Sequence, residues 1–91
     1  MKINLTDGTA EINEPIAPFK SFAVTIEPAI ETPITICFGK TSCSFLITNS
    51  IKINLSLNDE LLKGFSIITD ESIEEVYIDF YEDEFELTQE N

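Results

Sequence analysis

The residues of this chain that could most readily do chemistry are carboxylates crowded near its end. They are Asp79, Glu82, Asp83, Glu84 and Glu86. Carboxylate oxygens are the ligands that Ca²⁺ and Mg²⁺ prefer, and two carboxyl groups at a suitable separation can act as general acid and base on a glycosidic bond. The cluster has neither the ordered spacing nor the glycine of an EF-hand loop, and the chain has no Trp to suggest a sugar-binding cleft. We therefore interpret it as a solvated acidic turn with no metal site and no catalytic pair.

The two cysteines are the next candidates, and they flank the dipeptide Gly39-Lys40. Successive side chains of a strand point to opposite faces of the sheet. Cys43 then shares a face with the apolar Phe45, whereas Cys37 points to the other face. We expect two free thiols unless a bulge shifts the register. The chain has no His to activate a thiol, and two cysteines alone do not make a zinc site, so we predict no thiol catalysis.

The tripeptide Gly39-Lys40-Thr41 resembles the last residues of a phosphate-binding P-loop. That motif requires another glycine five positions before Gly39, where this chain has Ile34, and it joins a strand to a helix. The apolar alternation on both sides indicates instead an ordinary hairpin turn in which Gly39 has a positive φ.

Arg, His and Trp are all absent from the chain. These are the side chains that proteins most often use to grip phosphate, to transfer protons near neutral pH and to anchor interfaces. The sequence also lacks a nucleophile system and a glycine-rich cofactor loop. It therefore predicts a protein that is not an enzyme and that has no catalytic residue, bound cofactor or metal.

The charge of the chain is distributed very unevenly. Residues 1–69 hold seven acids and all five lysines, whereas residues 70–91 hold the other ten acids and no base. Such a surface repels nucleic acid and acidic lipid and attracts basic proteins. The apolar content of 43% and the seven Phe exceed what a disordered acidic chain would carry. We therefore expect a folded body.

Apolar and polar residues alternate in short runs separated by turn residues, which predicts an all-β protein. We expect a compact antiparallel β-sandwich or small barrel of seven to eight short strands. Asp7-Gly8 predicts that the chain opens with a hairpin and a type I′ turn. One short helical turn is expected near residues 58–63, with Asn58 as its N-cap and Gly64 just after its end.

The chain divides into a single β domain at residues 1–81 and an acidic C-terminal turn and tail at residues 82–91. No apolar run is long enough to span a bilayer, and the first residues lack the pattern of a signal peptide. We therefore expect no membrane contact and no secretion through a signal peptide, with a location in a virion or in the host cytoplasm.

The clearest strand comes just before the acidic tail, where Val76 and Ile78 alternate with Tyr77, Asp79 and Tyr81. Tyrosines beside carboxylates suit a contact surface, because Tyr offers a large area with a polar tip. The same face could instead be a second buried face, and the sequence leaves both interpretations open. The residues predicted to bind a partner are Tyr77, Asp79, Tyr81, Glu82, Asp83, Glu84 and Glu86.

These observations favour a structural or binding role. The first hypothesis is a small β subunit of a larger assembly such as a phage virion, as an auxiliary, decoration or fibre-associated protein, because β-sandwiches can join neighbours by strand addition. An amino-acid composition without Arg and rich in Ile, Asn, Lys and Glu is also typical of a protein from an AT-rich genome. The expected partners are other protein chains with basic or strand-edge surfaces, in a homo- or hetero-oligomer, and no direct nucleic-acid binding is expected.

An alternative hypothesis is an acidic inhibitor that mimics nucleic acid and blocks a DNA-binding enzyme, of the anti-restriction or anti-CRISPR type. A related possibility is an acidic adaptor or immunity-type protein for a basic partner. Mimicry requires acids arrayed along one ridge at phosphate-like spacing, whereas an assembly subunit requires only a contact patch.

Overall fold

The computed structural model describes residues 1–57 and 62–86 of the chain. Over these residues the alternating polarity produces eight β-strands, as predicted. The strands are β1 Lys2–Leu5, β2 Thr9–Ile12, β3 Phe19–Glu27, β4 Thr32–Phe38, β5 Thr41–Ile47, β6 Ser50–Leu57, β7 Phe65–Thr69 and β8 Ile73–Tyr81.

The strands form two antiparallel sheets of four strands each. Sheet 1 has the order β1-β8-β3-β6, and sheet 2 has the order β2-β7-β4-β5. The prediction of a compact antiparallel β-sandwich is confirmed. Strands β1 and β6 form the edges of sheet 1, and strands β2 and β5 form the edges of sheet 2.

The core lies between the two sheets. Val24 and Ile26 on β3 and Ile34 and Ile36 on β4 are fully buried there. Six of the seven phenylalanines also face inward and contact one another, and they are Phe19, Phe22, Phe38, Phe45, Phe65 and Phe80. Ring centroids in this cluster are 4.7 to 6.4 Å apart, which is the usual spacing of interacting aromatic pairs. The cluster ties β3 and β8 to β4 and β7.

The prediction of a hairpin at Asp7-Gly8 is wrong. Strand β1 pairs with β8, and strand β2 pairs with β7, so the turn carries the chain from one sheet to the other. The Gly8 amide donates to the carbonyl of Leu5 at 2.9 Å, which makes Thr6 and Asp7 the central residues of the turn. A type I′ turn requires positive φ at both central residues, and neither has it. Without that conformation the strands splay apart, which lets β1 and β2 join different sheets.

The hairpin predicted around Gly39-Lys40 is confirmed. Strands β4 and β5 pair along their whole lengths, and Phe38 lies opposite Thr41 at the turn. Gly39 has φ of 63°, as predicted. A two-residue turn with glycine first matches the twist of the paired strands.

The register of this hairpin separates the two thiols. Cys43 lies opposite the buried Ile36, whereas Cys37 lies opposite the exposed Ser42. The prediction that the cysteines point to opposite faces is confirmed, and both are free. Partial burial raises the pKa of the Cys43 thiol, which lowers its reactivity because the thiolate is the nucleophile.

The helical turn predicted near residues 58–63 lies mostly outside the described residues. Where the description resumes, Leu62 forms an isolated antiparallel bridge with Ile16. In that bridge the Ile16 amide donates to the Leu62 carbonyl at 2.9 Å and the Leu62 amide donates back at 3.3 Å. Over the ranges described, no helix has the length and apolar character needed to cross a membrane.

Candidate functional site

The strand that carries the predicted contact residues is central in sheet 1. Strand β8 pairs with β1 on one side and with β3 on the other. Its residues Val76 and Ile78 are fully buried, so Tyr77, Asp79 and Tyr81 lie on the outer face of the sandwich. Tyr77 is half-buried, Asp79 is exposed, and Tyr81 is 42% exposed. The face that the sequence left undecided is therefore an outer surface.

The chain after β8 does not leave the body as a free tail within the described residues. Residues 82–86, which we call the acidic segment, lie against the outer face of sheet 1. The Ser21 hydroxyl on β3 donates to the carbonyl of Asp83 at 2.6 Å. This contact explains why Ser21 is fully buried although it points away from the core.

A single side chain on the edge strand β6 fixes the end of the acidic segment. The Phe85 amide donates to Oδ1 of Asn54 at 2.8 Å, and Nδ2 of Asn54 donates to the Phe85 carbonyl at 3.1 Å. The amide group thus makes both hydrogen bonds that a neighbouring strand residue would make. The acidic segment is thereby held across β3 and β6.

Phe85 also packs on the outer face of sheet 1. Its ring lies 5.3 Å from the ring of Tyr81 in an edge-to-face arrangement. Nζ of Lys52 lies 5.4 Å from the centroid of the Phe85 ring, within the range of a cation–π contact. An aromatic pair therefore borders the acidic segment and restrains its backbone.

A different group of charges occupies the β1 side of the same face. Nζ of Lys2 lies 3.0 Å from a carboxylate oxygen of Glu75, and the Tyr77 hydroxyl donates to Glu75 at 3.2 Å. The hydrogen bond from Lys2 is the main cause that lowers the pKa of Glu75, and the same pair raises the pKa of Lys2. Loss of solvent around Tyr77, with the Glu75 carboxylate beside it, raises the pKa of the Tyr77 phenol. The Met1 ammonium lies 3.6 Å from Asp79.

The seven predicted contact residues therefore fall into two groups. Tyr77 and Asp79 belong to the β1 side, where a lysine and an ammonium balance part of the negative charge. The second group, which we call the acidic patch, is Tyr81, Glu82, Asp83, Glu84 and Glu86. Within residues 1–57 and 62–86, none of its four acids takes part in an ion pair, and all four are exposed.

Sequence reasoning missed three of the residues that hold the acidic patch in place, which are Ser21, Lys52 and Asn54. Ser21 and Asn54 lie 62 and 31 residues away from the residues they bind, so no local pattern connects them. The one available signal is Phe85, an aromatic residue in an otherwise acidic run. An apolar residue in such a position indicates that the run packs on the body.

Neither a metal site nor a similarity to a known protein assigns a function to this surface. Among the described residues, no group of three or more acids or cysteines is arranged to hold a metal ion. Comparisons of the chain with protein-family models, with curated proteins and with solved structures found no match.

Proposed function

We propose that this protein is a non-catalytic interaction subunit of a larger protein assembly, such as a virus particle, and that its acidic patch binds a basic surface of a neighbouring protein. The observation that carries the proposal is that the exposed acids are anchored. Hydrogen bonds from Ser21 and Asn54 hold their backbone at two points on the sandwich.

Anchoring favours binding because a segment that is already ordered loses less conformational entropy when it associates with a partner. A loose acidic tail would lose about 1–2 kcal/mol for each residue whose backbone is ordered on binding. The sandwich already holds the backbone of the acidic segment at Asp83 and Phe85. Its charges can therefore attract and orient a basic partner with less loss of affinity.

The aromatic residues beside the acids supply the second part of a contact surface. Tyr81 keeps 42% of its surface exposed and offers both apolar area and a hydroxyl. Interfaces use such residues at their centre and charged residues around them. The patch has this composition, with Tyr81 beside Glu82, Asp83 and Glu84.

The experiment compares partner capture by three forms of the protein in extract from its source. The test variant is E82Q/D83N/E84Q, and the control variant is D7N/E11Q/E14Q, which removes the same number and types of charge from other exposed positions. Captured proteins are quantified by mass spectrometry at low and at high salt. We expect a basic assembly component to bind the original protein and the control, and to bind the test variant at least about tenfold more weakly.

Two results would contradict the proposal. Equal loss of binding in both variants would mean that net charge alone attracts the partner, with no defined surface. Capture of a nucleic-acid enzyme from which DNA displaces the protein would instead support the mimic. Circular dichroism and thermal unfolding of each variant establish that the fold is retained.

A further inference from the structure

The edge strand β5 lacks the features that protect the edges of natural sheets. Its residues Thr41–Ile47 include no charged residue and no proline, and its register with β4 runs without a bulge. Proteins usually block an edge with lysine, proline, a bulge or a very short strand. Within the described residues β5 is nevertheless the last strand of sheet 2.

The other three edges all carry such protection. Strands β1 and β2 have only four residues each and contain Lys2 and Glu11. Strand β6 carries Lys52, and its pairing with β3 shifts register between Phe19 and Ser21. The contrast singles out β5 as the edge that is suited to pair with another strand.

The register of the β4–β5 hairpin shows which backbone groups of β5 point outward. The residues that flank a two-residue hairpin turn form a hydrogen-bonded pair, and such pairs alternate along the strands with pairs that lack hydrogen bonds. Thr41 is the first bonded residue of β5, so Ser42, Ser44 and Leu46 turn their N–H and C=O groups away from β4. Pro33, which has no N–H, lies opposite Leu46, where this alternation requires no hydrogen bond.

The inner face beside β5 is also incompletely covered. Cys43 and Phe45 on β5 are only half-buried, although residues at equivalent inward positions of β4 are fully buried. Strand β6 is the edge of sheet 1 on this same side of the sandwich. Its inward residues Ile51, Ile53 and Leu55 are half-buried as well. A strand added to β5 would bury apolar area along this side in addition to forming hydrogen bonds.

We propose that β5 pairs antiparallel with β5 of a second copy of this chain, about a two-fold axis at Ser44. Self-pairing suits this edge because its outward backbone groups are symmetric about Ser44. Ser44 would face Ser44 of the second copy, and Ser42 would face Leu46, so that every outward N–H and C=O of these three residues finds a partner. On the inner face Cys43 would lie opposite Phe45. Sheet 2 would become one continuous sheet across the two copies.

Charges at the two ends of β5 favour the antiparallel arrangement. Lys40 comes directly before β5. Glu31 comes directly before Thr32, which pairs with Ile47 at the other end of β5. Both are exposed. Antiparallel pairing would bring the Lys40 end of each copy to the Glu31 end of the other, whereas parallel pairing would bring like ends together. This inference goes beyond the proposed function, because it concerns a different sheet and needs no other protein.

The first test measures the mass of the purified protein by sedimentation equilibrium over a range of concentrations. The test variant is S44K, which places two lysines directly opposite each other across the two-fold axis. The control variant is T9K, which makes the same charge change at an exposed position on the other edge of sheet 2. We expect a dimer for the original protein and for T9K, and a mass half as large for S44K. Ser44 loses one exposed hydrogen bond with Thr35 in this variant, so circular dichroism checks that S44K is folded.

The second test determines the register with a short bifunctional thiol crosslinker in a background with C37S and C43A. Two residues in a hydrogen-bonded antiparallel pair have Cα atoms about 5.5 Å apart and Cβ atoms at about the same distance, which is too far for an unstrained disulfide. A crosslinker with a spacer of about 5 Å should therefore join S44C into a covalent dimer. It should leave S42C without a crosslink, because Ser42 faces Leu46 and lies roughly 14 Å from Ser42 of the second copy.

Each other outcome would overturn the proposal. A monomer at all concentrations would exclude self-pairing, and a dimer that S44K leaves intact would place the contact elsewhere. Polydisperse aggregates in place of a dimer would mean that the edge is merely unprotected. Crosslinking of S42C without crosslinking of S44C would exclude the two-fold axis at Ser44.

Discussion

At the scale of single residues, the most consequential side chain is Asn54. Its amide both donates to and accepts from the backbone of Phe85, which is the exchange that two residues of adjacent strands make. An acid or a lysine at this position could make only one half of that exchange, because each lacks either the donor or the acceptor. An amide therefore suits the position, and the order of the acidic segment depends on it.

We predict that N54A releases the acidic segment without unfolding the sandwich. Each exposed hydrogen bond contributes about 1 kcal/mol, so loss of both should speed amide exchange at Phe85 by roughly tenfold or more. The melting temperature should change little, because Asn54 lies outside the core. Exchange at single amides, followed by nuclear magnetic resonance, measures the effect.

The matched control is N4A, which removes another exposed asparagine that hydrogen-bonds nearby, in this case to Thr6. Exchange at Phe85 should be the same in N4A as in the original protein. An unchanged rate at Phe85 in N54A would mean that Ser21 and the contact with Tyr81 suffice to hold the segment.

At the scale of elements, two glycines outside the strands have different structural roles. Gly64 has φ of 154°, and a Cβ there would collide with the carbonyl oxygen of Ile12. Gly39 has φ of 63°, and among the described residues a Cβ there would meet the side chain of Leu62 at 3.8 Å and nothing closer, which is an ordinary contact. The first glycine therefore permits close packing of two backbones, whereas the second only permits a turn.

We predict that G64A destabilises the protein more than G39A. The backbone conformation alone costs a non-glycine residue about 1–3 kcal/mol at such positions, and the collision with Ile12 adds to that cost in G64A. Denaturant unfolding of the two variants gives the difference in the free energy of unfolding. Equal losses in G64A and G39A would show that the chain near Ile12 adjusts without cost.

The elements also show what the sequence could and could not predict. The alternation of apolar and polar residues identified the strands. The hairpin predicted at Gly39 is confirmed because a two-residue loop with glycine first closes a hairpin by itself. Asp7-Gly8 has an equally strong dipeptide signal, yet Thr6 and Asp7 do not adopt the required φ. Strands β1 and β2 each pair with a strand more than 50 residues away. Such pairing depends on the whole core, and no local signal reports it.

The candidate site shows the same division between local and distant information. Composition located the acidic residues, and alternation placed Tyr77, Asp79 and Tyr81 on one face. The split into the β1 side and the acidic patch depends on Lys2 and Asn54, which reach this face from the two edges of sheet 1. The order of strands in a sheet cannot be derived from periodicity alone.

At the scale of the whole molecule, the sandwich separates two kinds of surface. The acidic patch lies on the outer face of sheet 1, and the uncharged edge β5 belongs to sheet 2. A net charge of -12 attracts a basic partner to the first surface and opposes the approach of a second copy to the other. The two proposed contacts should therefore respond in opposite ways to a change in ionic strength.

We predict opposite salt dependences for these contacts. Raising NaCl from about 0.05 M to about 0.5 M shortens the screening length from more than 10 Å to less than 8 Å. Binding of the basic partner should weaken, whereas the dimer through β5 should tighten because repulsion between the two anionic copies is screened. Sedimentation equilibrium measures the dimer, and titration calorimetry measures the complex with the captured partner.

The variant E82Q/D83N/E84Q should separate the two equilibria further. It removes three negative charges from each copy, so its dimer should form more tightly at low salt while its complex with the basic partner weakens. S44K should weaken the dimer and leave the complex with the basic partner unchanged, because it disrupts the β5 edge and leaves the acidic patch intact. If both variants weakened both contacts, the two surfaces would not be independent, and the charge of sheet 1 would have to act through the fold itself.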